Sequence, residues 1–339
     1  MAAPPRYSRA HVDHCAFAAW YSRLHHASIK SEVVPLPPAF VSYLLADGVT
    51  LPETVEEVDD PVASAAAAIR AEIQRILTQF GGKAFVKTNW SAPRDASWML
   101  GSLQCSTVDD VLLLLQSSDF VVHDLTQPYR GCAATLEGED ELAMEAVRTS
   151  PAREPTLVIK KWCNLFDSML FRCFVVDHAL VAVSQRHCSE FYDFLVEQQD
   201  FLCERIFDFF STHLASADAF PDPDYIFDVY VDKKHRVFLV DINVFGDVTD
   251  PLLFSWDELE QLRAEGVDRR RQDEDDLPPQ VVDFRIVESK QGIHANPLSG
   301  YRAPTDLVDH LAGGAGFEAF LEQVKRDNAA QDSDSDSDE

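Results

Sequence analysis

Apolar positions along this chain fall into blocks whose spacing alternates between helical and strand-like. Over residues 11–30, Phe17, Trp20, Tyr21, Leu24 and Ile29 recur at mixed helical spacing, which predicts a short aromatic helix packed on a core. His11, His14, His25 and His26 lie among them without a tight ligand spacing, so packing is favoured over metal binding. Val34-Pro-Leu-Pro-Pro38 reads as an extended connector, because successive prolines fix φ and remove donors. An acidic loop follows at Asp59-Asp60-Pro61. From Ala63, Ile69, Ile73, Ile76, Leu77 and Phe80 trace an amphipathic helix, with Gly81-Gly82 as its stop.

Strand-like blocks then take over. Ala84–Asn89 reads as a strand entering a polar loop through Trp90, Arg94 and Asp95, and Thr156–Trp162 as a second strand. Val111–Leu115 is apolar on every side and fits a buried strand or helix equally. Two hairpins are predicted: 169–176 with 179–186 around Asp177-His178, and 225–231 with 236–243 around Asp232–His235. Between them a helix carries a stripe of Phe201, Leu202, Ile206, Phe209, Phe210 and Leu214. Residues 265–280 read as a mobile charged loop, and Phe317, Phe320, Leu321 and Val324 as a last short helix. Residues 326–339 lose all apolar periodicity and are expected to form a disordered acidic tail. The chain contains no internal repeat.

Charge changes the picture more than hydropathy does. Asp and Glu number 57 against 29 Lys and Arg, a formal charge of −28. Such a surface repels a phosphate backbone and disfavours general nucleic-acid binding; it suits a partner with a basic face. No run approaches the roughly 20 apolar residues that span a bilayer, and the N-terminal residues carry no apolar signal core. The seven cysteines form no Cys-x-x-Cys pair, as expected of reduced, mostly buried thiols. A soluble cytoplasmic protein is expected.

Candidate chemistry concentrates in the second hairpin. A turn at Asp232–His235 sets Asp228 opposite Leu239 and diagonal to Asp241, and alternation points Asp228, Asp241 and Asn243 to one face. Two carboxylates and an amide oxygen suit a hard cation, which takes oxygen ligands; an ordinary half-solvated hairpin would look the same. The opposite face carries Phe227, Val229, Phe238, Val240 and Ile242. Basic groups lie earlier, at Lys87, Arg94, Lys160, Lys161, Arg172 and Arg186. Arginines within apolar strands need a carboxylate or an anionic ligand. A two-residue turn at 177–178 places Arg172 and Arg186 on opposite faces and a three-residue turn through Ala179 places them together; the sequence leaves both open. No Gly-x-x-x-x-Gly-Lys-Ser/Thr loop, dinucleotide fingerprint, nucleophile–base pair or zinc-protease motif is present.

These residues also carry a resemblance. His14–Tyr21, Ile29–Ser31, Lys87-Thr-Asn-Trp-Ser-Ala-Pro-Arg-Asp95, Ser117–Phe120, Lys161-Trp162-Cys163, Phe171–Phe174, Ser184-Gln-Arg186 and Asp241-Ile-Asn-Val-Phe-Gly246 together resemble the cell-division-cycle-123 protein family, from about residue 11 to about residue 325. The resemblance implies an α+β, ATP-grasp-like fold, with residues 1–325 as one module whose two lobes enclose ATP and magnesium. It implies a cytosolic chaperone, monomeric apart from its client, that binds the gamma subunit of eukaryotic initiation factor 2 and promotes assembly of the heterotrimer. The alternative is an ATP-dependent carboxylate ligase acting through an acyl-phosphate. By position, Lys87, Arg94 and Arg186 are expected on the phosphates, with Arg172 orienting carboxylates or phosphate. Lys161, Trp162 and Cys163 are expected at the adenine hinge, Asn89 and Asp95 shaping the site, and Asp228, Asp241 and Asn243 on magnesium.

Overall fold

The computed structural model describes residues 7–46, 61–132, 141–270 and 282–301. Residues 53–60, 271–280, the expected helix at Phe317–Val324 and the tail at 326–339 lie outside the described residues.

Two sheets organise the chain, joined by the segment that follows a central strand. The first sheet has the order β1 (Ser31–Pro35), β3 (Thr156–Lys161), β2 (Ala84–Lys87), all antiparallel. Pro35 ends an edge strand, where its missing N–H costs no ladder bond. Alternation along β3 sends Leu157 and Ile159 into one core with Val34 and Val86. Over that face pack α3 (Pro38–Leu44), α4 (Pro61–Gln79), α5 (Val108–Gln116) and α6 (Asp119–Thr126). In α4 the expected stripe Ile69, Ile73, Ile76, Leu77 and Phe80 is buried. Gly81 and Gly82 end it with φ of 81° each, a conformation only glycine adopts without strain, and the Gly82 N–H donates to the Leu77 carbonyl at 2.8 Å.

The block at 111–115 is helical. Thr107 and Asp110 form a reciprocal capping box, and Val111–Leu115 are all buried because the helix is enclosed on every side. Periodicity could not separate strand from helix there; the cap residues decide it.

The second sheet has the order β7 (Val237–Val244), β6 (Tyr225–Val231), β4 (Leu170–Val176), β5 (Ala179–Gln185), β8 (Asp283–Arg285), the last pairing parallel to β5. One face packs against α1 (Arg9–Cys15), α2 (Phe17–Leu24), α8 (Asp193–His213) and, through Val147, α7 (Glu141–Arg148); the other carries Phe174, Val176, Ala182 and Ile226 against the start of α9 (Trp256–Arg270). The arrangement is α+β, as expected, with each of the two sheets carrying its own helices.

Several boundaries depart from the sequence reading. The aromatic helix at 11–30 is two helices broken at Ala16, a turn of 3-10 helix and the short approach to β1. Phe201 is 41% exposed, lying on the flank of α8 rather than in its buried stripe. Residues 265–270 complete α9 rather than starting a loop.

Candidate functional site

The face of the first sheet opposite its helical core carries two lysines. Register pairs Phe85 with Lys160 and Lys87 with Val158, so alternation sets Lys87 and Lys160 on the same side. Both are almost fully buried, at 2% and 4% exposure. They reach the second sheet directly: Lys87 Nζ donates to Asp241 Oδ2, and Lys160 Nζ donates to the Val240 carbonyl at 2.6 Å.

Across the second sheet, pairing aligns Ser184, Arg172, Asp228 and Asp241 in one row over β5, β4, β6 and β7. The second hairpin turns through three residues, Lys233–His235, with His235 at φ 58° and the Asp232 N–H bonded to the Arg236 carbonyl. A bulge then shifts the register between Asp228 and Val229. Asp241 is therefore directly opposite Asp228, and Leu239 opposite Val229, where the sequence suggested a diagonal pair. The bulge also exchanges the apolar face: Leu239 is in the core with Phe227, Val229 and Ile242, while Val240 is only half-buried.

The first hairpin settles the arginine faces by a route that neither turn length anticipated. Asp177 and His178 form a two-residue turn with φ of 51° and 60°, and a register shift between Phe174 and Val175 adds the missing residue. Arg172 and Arg186 consequently share a face. Arg172 grips Asp228 bidentately at 2.8 and 2.9 Å and donates to the Asp250 carbonyl at 2.7 Å; Arg186 Nε stands 3.4 Å from Asp228 Oδ2. Burial opposes the charge on Asp228, but the Arg172 and Arg186 guanidiniums outweigh it and hold the carboxyl down at about 2. Arg186 is pushed down to about 10 by burial and by Arg172, against the pull of Asp228. Burial, with Lys87 adding to it, brings the Lys160 ammonium down to about 7, against the attraction of Asp241.

The loop after β2 brings in Arg94. Burial lowers its pKa, with Asp228 acting to raise it and Arg172 to lower it, which places it in the same electrostatic neighbourhood. The loop is fastened at both ends by buried carboxylates. Asp124 on α6 accepts from Thr88 Oγ1, and from Ser91 N and Oγ at 2.7 and 2.8 Å; Asp95 accepts from Ser118 Oγ at 2.6 Å and Phe120 N at 3.3 Å. Asn89 is spent in the same way: its Oδ1 accepts from Ala18 N at 3.3 Å and its Nδ2 donates to Glu154 O at 3.0 Å. Asn89 and Asp95 thus hold the scaffold that presents Arg94. Asp124 has that role too and was missed, because a lone aspartate in an apolar block carries no motif.

Trp162 and Cys163 begin the segment from β3 to β4, the covalent link between the sheets. Trp162 Nε1 donates to Asn164 Oδ1 at 3.0 Å, and Cys163 is exposed. Lys161 is exposed as well, since alternation turns it away from Lys160. The inward lysine is Lys160, and strand parity is the signal that finds it: two residues before it, Val158 packs with the second lobe, while Ile159 packs with the first. Lys160→Met is expected to weaken binding of inorganic tripolyphosphate by roughly tenfold or more, the worth of a charge-assisted hydrogen bond. Lys161→Met should leave it unchanged; titration calorimetry on both variants checks this, and equal losses would refute the assignment.

Five cationic side chains, Lys87, Lys160, Arg94, Arg172 and Arg186, thus converge on two carboxylates, Asp228 and Asp241, in a chain whose formal charge is −28. That surplus of positive charge, buried at Lys87, Lys160 and Arg172 and half-buried at Arg94 and Arg186, suits a polyanion. The set also fits a hard cation. A carboxylate offers about four lone-pair sites, and the interactions described for Asp228 use three. Asp241 Oδ1 accepts the Ile242 N–H at 3.2 Å, while Asn243 Nδ2, on the same strand, is buried without a hydrogen-bond partner, a donor that suits an anionic oxygen rather than the cation. Among the described residues no group of three or more His, Cys, Asp or Glu side chains is arranged to hold a metal ion, and none of their helices is long and apolar enough to cross a membrane.

Known proteins resemble this chain along most of its length. The D123 family model matches residues 20–68 and 54–311. A Xenopus tropicalis protein named translation initiation factor eIF2 assembly protein is 36% identical, covering 96% of this chain and 98% of that one. An Aspergillus fumigatus protein of the same name is 34% identical, over 98% of this chain and 94% of its own. The solved structure of C-terminally truncated Cdc123 from Schizosaccharomyces pombe superposes with a TM-score of 0.63 at 34% identity, over 83% of this chain and 98% of that one.

Proposed function

The chain belongs to the D123 family, and from that premise we propose that it is an ATP- and magnesium-binding chaperone that binds the gamma subunit of eukaryotic initiation factor 2 and promotes assembly of the heterotrimer. The observation that carries the nucleotide part is the gathering of five cations, three buried and two half-buried, against two carboxylates between the sheets. The names of the relatives support the assembly part.

In this reading Lys87, Lys160, Arg94, Arg172 and Arg186 hold the phosphates. Asp228, Asp241 and Asn243 hold magnesium, whose chemistry there is to neutralise phosphate charge. The segment from Trp162 borders the adenine. Arg172 keeps Asp228 ionised and fixed, so that carboxylate is oriented before any ligand arrives. Residues 1–325 act as one ATP-grasp-like module, 326–339 as an acidic tail, and the protein works as a cytoplasmic monomer apart from its client. The net charge of −28 steers it toward a basic face of the gamma subunit.

The deciding experiment mixes the pure chain with isolated alpha, beta and gamma subunits, with and without ATP and magnesium, and follows heterotrimer by gel filtration and ADP by chromatography. Heterotrimer is expected to form faster with nucleotide, without matching accumulation of ADP. ADP appearing with a modified product would make the chain a ligase; assembly that ignores nucleotide and survives Lys160→Met would make it a structural adaptor. No association with the gamma subunit would sink the chaperone reading.

A further inference from the structure

Lys87 and Lys160 present a physical difficulty that the site as described does not resolve. Two ammoniums are buried on one face of the first sheet, and the structure supplies them one carboxylate partner, Asp241, which binds Lys87. Lys160 has a neutral carbonyl, that of Val240. Among the described residues Asp241 is thus their one carboxylate hydrogen-bond partner, and below both lysines lies the ring of Phe17, at the first position of α2, fully buried. Lys160 Nζ is 4.4 Å from the ring centroid and Lys87 Nζ is 5.7 Å from it, both within the range of a cation–π interaction.

The ring is held in place from two sides. The Phe17 backbone N–H donates to the Asn89 carbonyl at 3.0 Å, tying α2 to the loop that presents Arg94. Tyr21 stacks on it at 4.8 Å and 22°, and Trp20 meets it edge-on at 4.5 Å. It therefore cannot rotate away without disturbing a packed aromatic group.

We propose that Phe17 is a positioning residue for polyanion binding: its ring face holds the Lys87 and Lys160 ammoniums in place and offsets their desolvation without cancelling their charge. The proposal rests on the nucleotide reading for the identity of the anion. A second carboxylate beside Lys160 would stabilise the ammonium more strongly, but it would repel phosphate and neutralise the group meant to meet it. An aromatic quadrupole supplies attraction with no net charge. The lowering of the Lys160 pKa to about 7, despite Asp241, marks how strongly burial works against that charge.

The test separates ring electrostatics from ring shape. Phe17 is replaced by 4-fluoro-, 3,5-difluoro- and 3,4,5-trifluorophenylalanine, which withdraw charge from the face with little change of volume, and by leucine. Binding of inorganic tripolyphosphate is measured by calorimetry. Affinity is expected to fall stepwise with fluorine number, and by roughly tenfold in Phe17→Leu, with melting temperatures of the fluorinated series unchanged. A flat series would overturn the proposal, because a purely packing ring would not register fluorination. A second readout needs no ligand: in free protein with labelled lysine, the Lys160 methylene next to the ammonium should resonate upfield from the ring current and lose that shift in Phe17→Leu. Absence of the shift would overturn the placement on its own. If wild type shows the shift but binds no tripolyphosphate, the nucleotide reading falls and the ligand-positioning role with it.

Discussion

Arg172→Leu is expected to destabilise the fold by about 3–5 kcal/mol, the cost of leaving one member of a buried ion pair without its partner. The residue stands in the middle strand of the five-stranded sheet, and its side chain satisfies both oxygens of Asp228 and the Asp250 carbonyl. With the guanidinium gone, Asp228 keeps only the longer interaction with Arg186 at 3.4 Å. The pH dependence identifies the cause. In wild type the carboxyl titrates at about 2, below its ordinary 3.8, so the pair stabilises the fold above about pH 4 and loses that contribution as pH falls through 2. The difference of almost two units corresponds to about 2 kcal/mol. In Arg172→Leu burial acts with less opposition, the Asp228 pKa rises, and acidification should narrow the gap between variant and wild type. Urea unfolding between pH 4 and pH 7 measures this. A loss below 1 kcal/mol, or a gap independent of pH, would show that the pair contributes little. Adding Asp228→Asn to Arg172→Leu should recover part of the loss, since the uncompensated charge is then gone.

How much of this was legible in the sequence follows from which signals are local. The stripe of α4 and its glycine stop could be read because both lie within one helix. The α5 block could not be assigned from its periodicity, since burial on all sides erases the period; Thr107 and Asp110 held the answer in their spacing. A four-residue turn puts Asp228, Asp241 and Asn243 on one face by alternation alone, but with the three-residue turn that forms they share it only through a bulge. A bulge shifts every later partner, and nothing in the residues at 228–229 marks it. The same limit governed Arg172 and Arg186, which share a face through a two-residue turn plus a bulge. Lys160 could have been found as the inward lysine from strand parity relative to Val158 and Ile159; the resemblance concerned its neighbour Lys161, at the hinge, and left Lys160 without a role. Phe17 was readable as a core aromatic. Its place beneath two lysines more than sixty residues away in sequence is tertiary information with no local trace.

Asp241→Asn is expected to cut the gain that magnesium gives nucleotide binding while leaving metal-free binding intact. Asp241 is the carboxylate partner of Lys87, and in the proposed function it is also a magnesium ligand with Asp228 and Asn243. Removing its charge while keeping an oxygen acceptor affects the two in opposite directions. Without metal, the five cations face one carboxylate instead of two, so ATP measured in chelator should bind as well as to wild type or better. With metal, the charged ligand is missing, and the gain that magnesium gives wild type should shrink by roughly ten- to a hundredfold, the range that losing even an outer-shell partner costs a metal site. Calorimetric titrations of ATP with chelator and with excess magnesium, on both proteins, give the four affinities needed. An unchanged magnesium gain would remove Asp241 from the metal site and leave it as a lysine partner alone. Equal losses in both conditions would mean instead that Lys87 had moved once its partner was neutralised. Lys87→Met with Asp241→Asn separates that case: without a lysine to displace, any remaining change in the magnesium gain belongs to the carboxylate.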